Sequence, residues 1–274
     1  MIDKKVGIIG YGNMGSILVN GFADSGIIKK SNIIISTRTK VKLSNLKDSG
    51  YEICSSNIDL AKKSNLIFLC VKPFEIKDVL IEIKNALIPD KHIISIAVFV
   101  TIDNIESVFN GKISRVLPTV ISKIKEGITL ICHNSKVSNE EKNILETLLS
   151  TISEIKNVKE NEFEILSDLT SCAPGLIAAI FREYVESVLP YTDFPEKEIN
   201  DLVIKTLFGT AKLFYEKNFN FDSTIKQVAT RGGITEAGVR VLKNKLPEIF
   251  NDMLNKTLKI QKIGKQKIDE QFNN

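Results

Sequence analysis

The chain has no tryptophan, two histidines (His92 and His133) and four cysteines that nowhere form a C-x-x-C pair. So few histidines leave little material for a histidine metal site or a histidine-centred triad, and no metal is expected. Cys54, Cys70, Cys132 and Cys172 are too scattered for a zinc site or a disulfide framework and are expected to be buried or incidental thiols. No uncharged apolar run approaches the roughly 20 residues that a membrane-spanning helix needs, so no membrane partner is expected. The opening "MIDKKVGIIG" enters an apolar run without the long core and small-residue cleavage site of a signal peptide, which points to the cytoplasm. Neither sign of charge dominates. Lys and Arg number 37 against 33 Asp and Glu, a formal net charge of +4, and the lysines are scattered rather than gathered into a stripe, which argues against nucleic acid as a partner.

What the chain does have is order. At 274 residues it exceeds the usual single-domain size, and two domains are expected. The N-terminal half alternates strand and helix. "KKVGIIG" is a short β-branched run ending in glycine, and the following "NMGSILVNGFADSG" puts Met14, Leu18 and Phe22 on one helical face. Further apolar strands are expected at "NIIIST", "NLIFLCV", "KHIISIAV" and "KISRVLP". Serial βα units imply a parallel sheet covered by helices on both faces.

The first turn reads Gly10-Tyr11-Gly12-Asn13-Met14-Gly15, a G-x-G-x-x-G directly after a strand and before a helix. In a dinucleotide-binding unit Gly10 permits the tight turn, Gly12 lets backbone approach a pyrophosphate, and Gly15 allows close helix–strand packing. The helix start, at Asn13 and Met14, then offers amides and partial positive charge to the phosphates. An acid at the end of the second strand would accept the ribose 2′-hydroxyl of NAD; here the sequence is Ser36-Thr37-Arg38-Thr39. Thr37 and Arg38 suit the 2′-phosphate of NADP, so NADPH is the expected cofactor, with NADH as the alternative. "CVKPFEI" sits where the fourth main strand should end, which places Val71, Lys72 and Pro73 on the ligand rim, with Ser95, Ile96 and Ala97 ending the next strand.

From about residue 161 strand signals vanish and long helical patterns dominate, beginning with "EFEILSDLTSCAPGLIAAIFREYVESVL". The shift marks an expected boundary at 160: a Rossmann-type domain over 1–160 and an all-helical dimerisation domain over 161–274. "LIAAIFREYVESVL" is apolar around much of its circumference, as suits a bundle core or a subunit interface. Between helical stretches stands "TRGGITEAG" at 230–238.

The glycine turn with Met at its fifth position, "VKP", "SIA", "RVLP", "SCAP" and "GGITEAG", in this order and spacing, resembles the pyrroline-5-carboxylate reductases over nearly the whole chain. "SDLTSCAPG" and "RGGIT" look similar to the late-competence ComER-type branch of that superfamily. The resemblance implies NAD(P)H-dependent reduction of the cyclic imine 1-pyrroline-5-carboxylate to proline by a homodimer or a ring of dimers. In that framework Arg231, Gly232, Gly233, Thr235 and Cys172 face substrate. Thr235 is the catalytic candidate, its hydroxyl placed on the imine nitrogen; its structural alternative is a helix N-cap. Where the family reads S-P-G-G-T-T this chain has Arg231 for proline and Ile234 for threonine, its S-G-S-G-P-A becomes Thr170 to Gly175, and the asparagine after R-V-M-P becomes Thr119. The other readings are a dinucleotide-binding regulatory relative, or a reductase of another cyclic imine.

Overall fold

The computed structural model describes residues 1–39, 46, 49–217 and 219–274. They form two compact units, Met1–Pro174 with Leu258–Asn274, and Gly175–Thr257.

In the first unit lie β1 (Val6–Ile9), α1 (Asn13–Asp24), β2 (Ile33–Ser36), β3 (Glu52–Ile53), α2 (Asn57–Lys63), β4 (Leu66–Leu69), α3 (Ile76–Ile83), β5 (His92–Ser95), α4 (Ile102–Glu106), β6 (Lys112–Leu117), β7 (Ile128–His133), α5 (Asn139–Leu149), β8 (Glu154–Asn157) and α6 (Phe163–Thr170). The strands form one sheet in the order β3-β2-β1-β4-β5-β6-β7-β8. All neighbours are parallel except β6 and β7, which pair antiparallel with Val116 opposite Ile131.

β1, β2, β4 and β5 are buried at every position, which is why they read as apolar runs, interrupted by Gly7 and bounded by Ser36, His92 and Ser95, rather than as an alternation. Their side chains still divide by the pleat. Val6, Ile8, Ile35 and Phe68 pack with Leu18 and Phe22 of α1 and Leu145 and Leu148 of α5. Ile9, Ile34, Ile67 and Leu69 pack on the other face with Ile76, Leu80 and Ile83 of α3.

By contacts the first unit runs on past the expected boundary at 160 to Pro174, and a buried arginine holds the intervening segment to the sheet. Arg115 of β6 is 4 % exposed; its guanidinium lies 4.5 Å from the Phe163 ring centroid and 2.8 Å from Glu160 Oε1. The same carboxylate oxygen accepts the Ile102 amide at the start of α4, 2.8 Å away. Residues 160–163 are thereby fastened to the sheet.

α7 (Ala173–Val188), α8 (Glu196–Lys217), α9 (Phe221–Val228) and α10 (Ile234–Asn273) make up the rest of the chain. The helical stretch "EFEILSDLTSCAPGLIAAIFREYVESVL" is two helices, parted at Ser171 and Cys172. The last turns of α10 belong to the first unit: Ile268 and Phe272 enter its core, Gly264 lies against Phe99, and Asp269 Oδ1 accepts from Asn104 Nδ2 at 2.9 Å. The second unit buries little of itself. Within Gly175–Thr257 the buried hydrophobic side chains are Val185 and Ile199, while Ile177, Ile180 and Tyr184 of α7 are exposed. By length and composition the stretch 160–191 is apolar enough to cross a membrane, its most apolar 18 residues having a mean hydropathy of 1.4 with 17 % of them buried.

The two histidines share one buried hydroxyl, with His92 Nε2 2.7 Å and His133 Nδ1 2.6 Å from Ser114 Oγ. Burial lowers both imidazoles to about 4 from an ordinary 6.5, so both are neutral at pH 7. Between those values the unfolded chain binds more protons than the folded one, so stability is full above about 6.5 and is lost as pH falls towards 4. Thermal melts taken from neutral pH downwards should show Tm falling through this window, and His92→Gln should flatten that limb whatever its effect at neutral pH. An unchanged slope in the variant would remove the histidines from the acid response.

Candidate functional site

The strand order reverses beside β1: the chain runs outward through β2 and β3, then returns to β4 on β1's other side. Open sheets bind ligands in the crevice at the carboxyl ends of such strands. Two hydrogen bonds tie the three strand ends together there, Gly10 N–H to Ser36 O and Cys70 N–H to Ile9 O, each 2.8 Å.

The three glycines of the first turn do different work. Gly10 has φ +100°, and a Cβ on it would stand 2.6 Å from the Cys70 carbonyl oxygen. Gly15 presses α1 onto the turn so closely that a Cβ would stand 2.1 Å from the Gly10 carbonyl oxygen. Gly12 is the opposite case, with no atom within 4 Å of where its Cβ would lie. It is the N-cap of α1, makes no side-chain cap, and no acid occupies the first turn. The first amides of α1 are therefore left for an anion, with the helix dipole in support.

Gly12 opens on a cleft of about 400 Å³. Of the expected cofactor residues, Gly10, Gly12, Thr37, Arg38, Val71 and Lys72 line it. Asn13, Met14, Gly15, Pro73 and Ala97 do not, and Ala97 is buried with its amide on Ser95 Oγ at 3.3 Å. Tyr11, Asn57, Glu75, Asp78, Val79 and Glu82 are among the further lining residues to which the motif reading gave no role. Asn57 Oδ1 accepts from Ser36 Oγ at 2.8 Å, and its amide donates to Glu82 Oε2 at 2.7 Å. The "SSN" before α2 is a helix-start signal and carries no hint of a ligand. Burial raises the Tyr11 phenol, and it raises the Cys70 thiol beside the cleft more strongly, so neither ionises near neutrality. An open glycine, an uncapped helix start, and hydroxyl and guanidinium groups where β2 ends form a set that fits a dinucleotide carrying a 2′-phosphate.

The second unit holds the other expected group, Arg231, Gly232, Gly233 and Thr235, within one turn. Gly232, at φ +76°, donates its amide to Glu236 Oε2 at 2.8 Å, and Gly233 donates to Thr230 O at 2.9 Å. α10 begins at Ile234, so Thr235 is an exposed residue of its first turn and not the N-cap. Cys172 belongs to the first unit, exposed in the turn between α6 and α7, its amide on Ser167 O at 2.9 Å. Thr119 is 2 % exposed, and its hydroxyl has no hydrogen-bond partner among the described residues.

Comparison with known proteins covers the same two halves. Residues 5–98 match the family model described as NADP oxidoreductase coenzyme F420-dependent, and residues 160–262 match pyrroline-5-carboxylate reductase dimerisation. The chain is 33 % identical to pyrroline-5-carboxylate reductase 3 of Bacillus subtilis over 96 % of its own length and 99 % of that protein. It is 25 % identical to ComE operon protein 4 of the same organism, over 92 % and 93 %. The crystal structure of Plasmodium falciparum pyrroline carboxylate reductase with NADP bound superposes with a TM-score of 0.86 at 25 % identity, covering 97 % of this chain and 99 % of that one.

The glycines separate fold from binding. Gly10→Ala should cost about 2 kcal/mol or more, through its positive φ and its contact with Cys70. Gly12→Ala should melt within about 0.5 kcal/mol of the wild type, yet lose about tenfold or more in NADPH affinity. A fluorescence titration in which Gly12→Ala binds NADPH normally would show that the cleft is not the dinucleotide site.

Proposed function

The chain belongs to the pyrroline-5-carboxylate reductase family, and from that premise we propose that it reduces 1-pyrroline-5-carboxylate to proline with NADPH, in proline biosynthesis. The observation that carries the reading is Gly12: an uncapped helix start facing an open cleft at the sheet's switch point. Gly12 and the first amides of α1, at Asn13 and Met14, take the pyrophosphate, while Gly10 and Gly15 hold the turn in shape. Thr37 and Arg38 take the 2′-phosphate. Val71 and Lys72 wall the reacting end, Pro73 starts the turn that shapes that wall, and the buried Ala97 supports the rim from the end of the next strand. Bound there, the dinucleotide supplies a hydride to the imine carbon, and a proton on the ring nitrogen completes the amine.

The remaining work is positioning. Thr235 hydrogen-bonds the imine nitrogen through its hydroxyl. The substrate carboxylate takes the amides of the first turn of α10, because the Gly232 amide is already committed to Glu236. Gly232 and Gly233 let the substrate come close, Arg231 adds a cation, and Cys172 contributes to the wall of the pocket.

We further propose that the protein is a cytoplasmic homodimer, able to assemble into rings of dimers. The exposed apolar face of α7 and a groove of about 470 Å³ lined by Phe181, Tyr184, Phe194, Leu202 and Leu207 support a second copy as the cover.

Purified protein should oxidise NADPH only when pyrroline-5-carboxylate is present, with proline appearing in equal amount. Tight NADPH binding without turnover would replace this reading with a regulatory one or another imine substrate. Thr235→Ala should lower kcat about tenfold to a hundredfold while NADPH affinity stays within about twofold; equal kcat would take Thr235 out of the mechanism. Sedimentation should give a dimer or a multiple of it, and a monomer at micromolar concentration would refute the assembly.

A further inference from the structure

Arg38, the side chain on which NADPH preference rests, already has a partner in the cleft. Its Nη2 is ion-paired with Glu75 Oε1. Glu75 is held independently, because its other oxygen, Oε2, accepts the Lys72 amide at 3.1 Å in the turn that follows β4. Its side chain is 31 % exposed, against 83 % for Arg38. The carboxylate is thus the doubly held, more buried member of the pair and the guanidinium the more exposed one. Together they link the end of β2 to the turn after β4, and both line the cleft.

The placement matters because of what a ribose presents. A 2′-phosphate carries close to two negative charges and seeks Arg38, whereas a 2′-hydroxyl seeks an acceptor. In many dinucleotide clefts the acceptor is an acid at the end of the second strand. Here Thr37 and Arg38 stand there, and a carboxylate reaches the same space from the neighbouring loop. Asp78 and Glu82 also line the cleft, with Glu82 accepting from Asn57, so Glu75 is the carboxylate that directly engages Arg38.

We infer that Glu75 is a specificity-determining residue for the cofactor: its carboxylate competes with the 2′-phosphate of NADPH for Arg38 and accepts the 2′-hydroxyl of NADH, so both cofactors are used and the preference between them is narrow. NADPH must exchange Glu75 for its phosphate on Arg38 and leave two like charges in one cleft. NADH leaves the ion pair intact. The inference rests on the cleft being the dinucleotide site, as proposed above.

The test is fluorescence titration of NADPH and of NADH against the full chain as wild type, Glu75→Gln, Arg38→Ala and the double variant. Glutamine keeps an oxygen for the Lys72 amide, and an unchanged Tm confirms that the turn survives. Glu75→Gln should raise the ratio of NADPH to NADH affinity about threefold to fivefold, the scale of an exposed ion pair. Glu75→Asp, which keeps the charge but shortens the reach, should raise it less. In the Arg38→Ala background the Glu75→Gln effect should shrink. An unchanged or lowered ratio in Glu75→Gln overturns this inference alone, and an equal rise with and without Arg38 overturns the competition for it. A wild type that binds neither cofactor overturns the cleft assignment, and this inference with it.

Discussion

The ligand rim depends on how closely β1, β4 and α1 approach one another at Gly10. No side chain fits there, because a Cβ would enter the Cys70 carbonyl, and the backbone holds a positive φ that other residues adopt only at a cost. α1 closes in from the other side, with Gly15 over the carbonyl of Gly10. The dipeptide Ile9-Gly10 also carries the two hydrogen bonds that fasten the ends of β2 and β4 to β1. All three walls of the cleft are therefore referred to one turn. The first amides of α1, Thr37 and Arg38 after β2, and Val71 and Lys72 after β4 are brought within one ligand's reach by a contact that involves none of their side chains.

Much of this was legible along the chain, and the reasons are specific. β1, β2, β4 and β5 stood out because strands buried on both faces are rich in apolar residues, and β6 by the apolar residues around Ser114 and Arg115. β3 has two residues and β8 is the polar edge Glu154–Asn157, so neither leaves a run to see. β7, "ITLICH", is apolar enough but is not reached by the βα repeat; it pairs antiparallel, outside the pattern that implied a parallel sheet. The boundary at 160 followed a change in composition, whereas contacts follow Arg115, Glu160 and Phe163, a cluster assembled from residues 45 or more apart in sequence in the case of Arg115 and Glu160. For the same reason the end of α10 joined the first unit unannounced. In the cleft, motifs decided what could be read: Gly10, Gly12, Thr37 and Arg38 sit in recognisable ones, while Asn57 opens α2 with none beside it and Glu75, though within "CVKPFEI", lies just past the rim residues assigned there.

The two units differ in how far each satisfies its own chemistry. The first closes two apolar layers around a sheet. The second leaves Phe208, Tyr215, Leu202 and Ile204 exposed along α8 and buries Ile199 alone on that helix. Apolar surface on this scale needs a cover, and 160–191 is long enough for that cover to be lipid. Its charges decide otherwise. Arg182, midway along α7, is ion-paired with Glu186 on its own helix and with Glu196 at the start of α8. A charged cluster there is costly at the depth of a bilayer centre and ordinary at the polar rim of a protein interface.

The reaction itself asks little of individual side chains. A hydride acceptor held against a nicotinamide needs alignment and dryness before it needs a base, and a protonated imine brings its own electrophile. The departures from the family pattern fall accordingly. The turn that would bind the pyrophosphate is intact at Gly10, Gly12 and Gly15, whereas Arg231, Ile234 and Cys172 stand in the segments proposed above to face the substrate, and Thr119 follows β6. Ile234, 95 % exposed in the isolated chain, puts an apolar side chain next to Thr235 where the family has a hydroxyl. Thr119 buries a hydroxyl without a partner among the described residues where the family has an amide. On the proposed assignment such changes bear on the fit of the imine and its carboxylate, not on the source of the hydride.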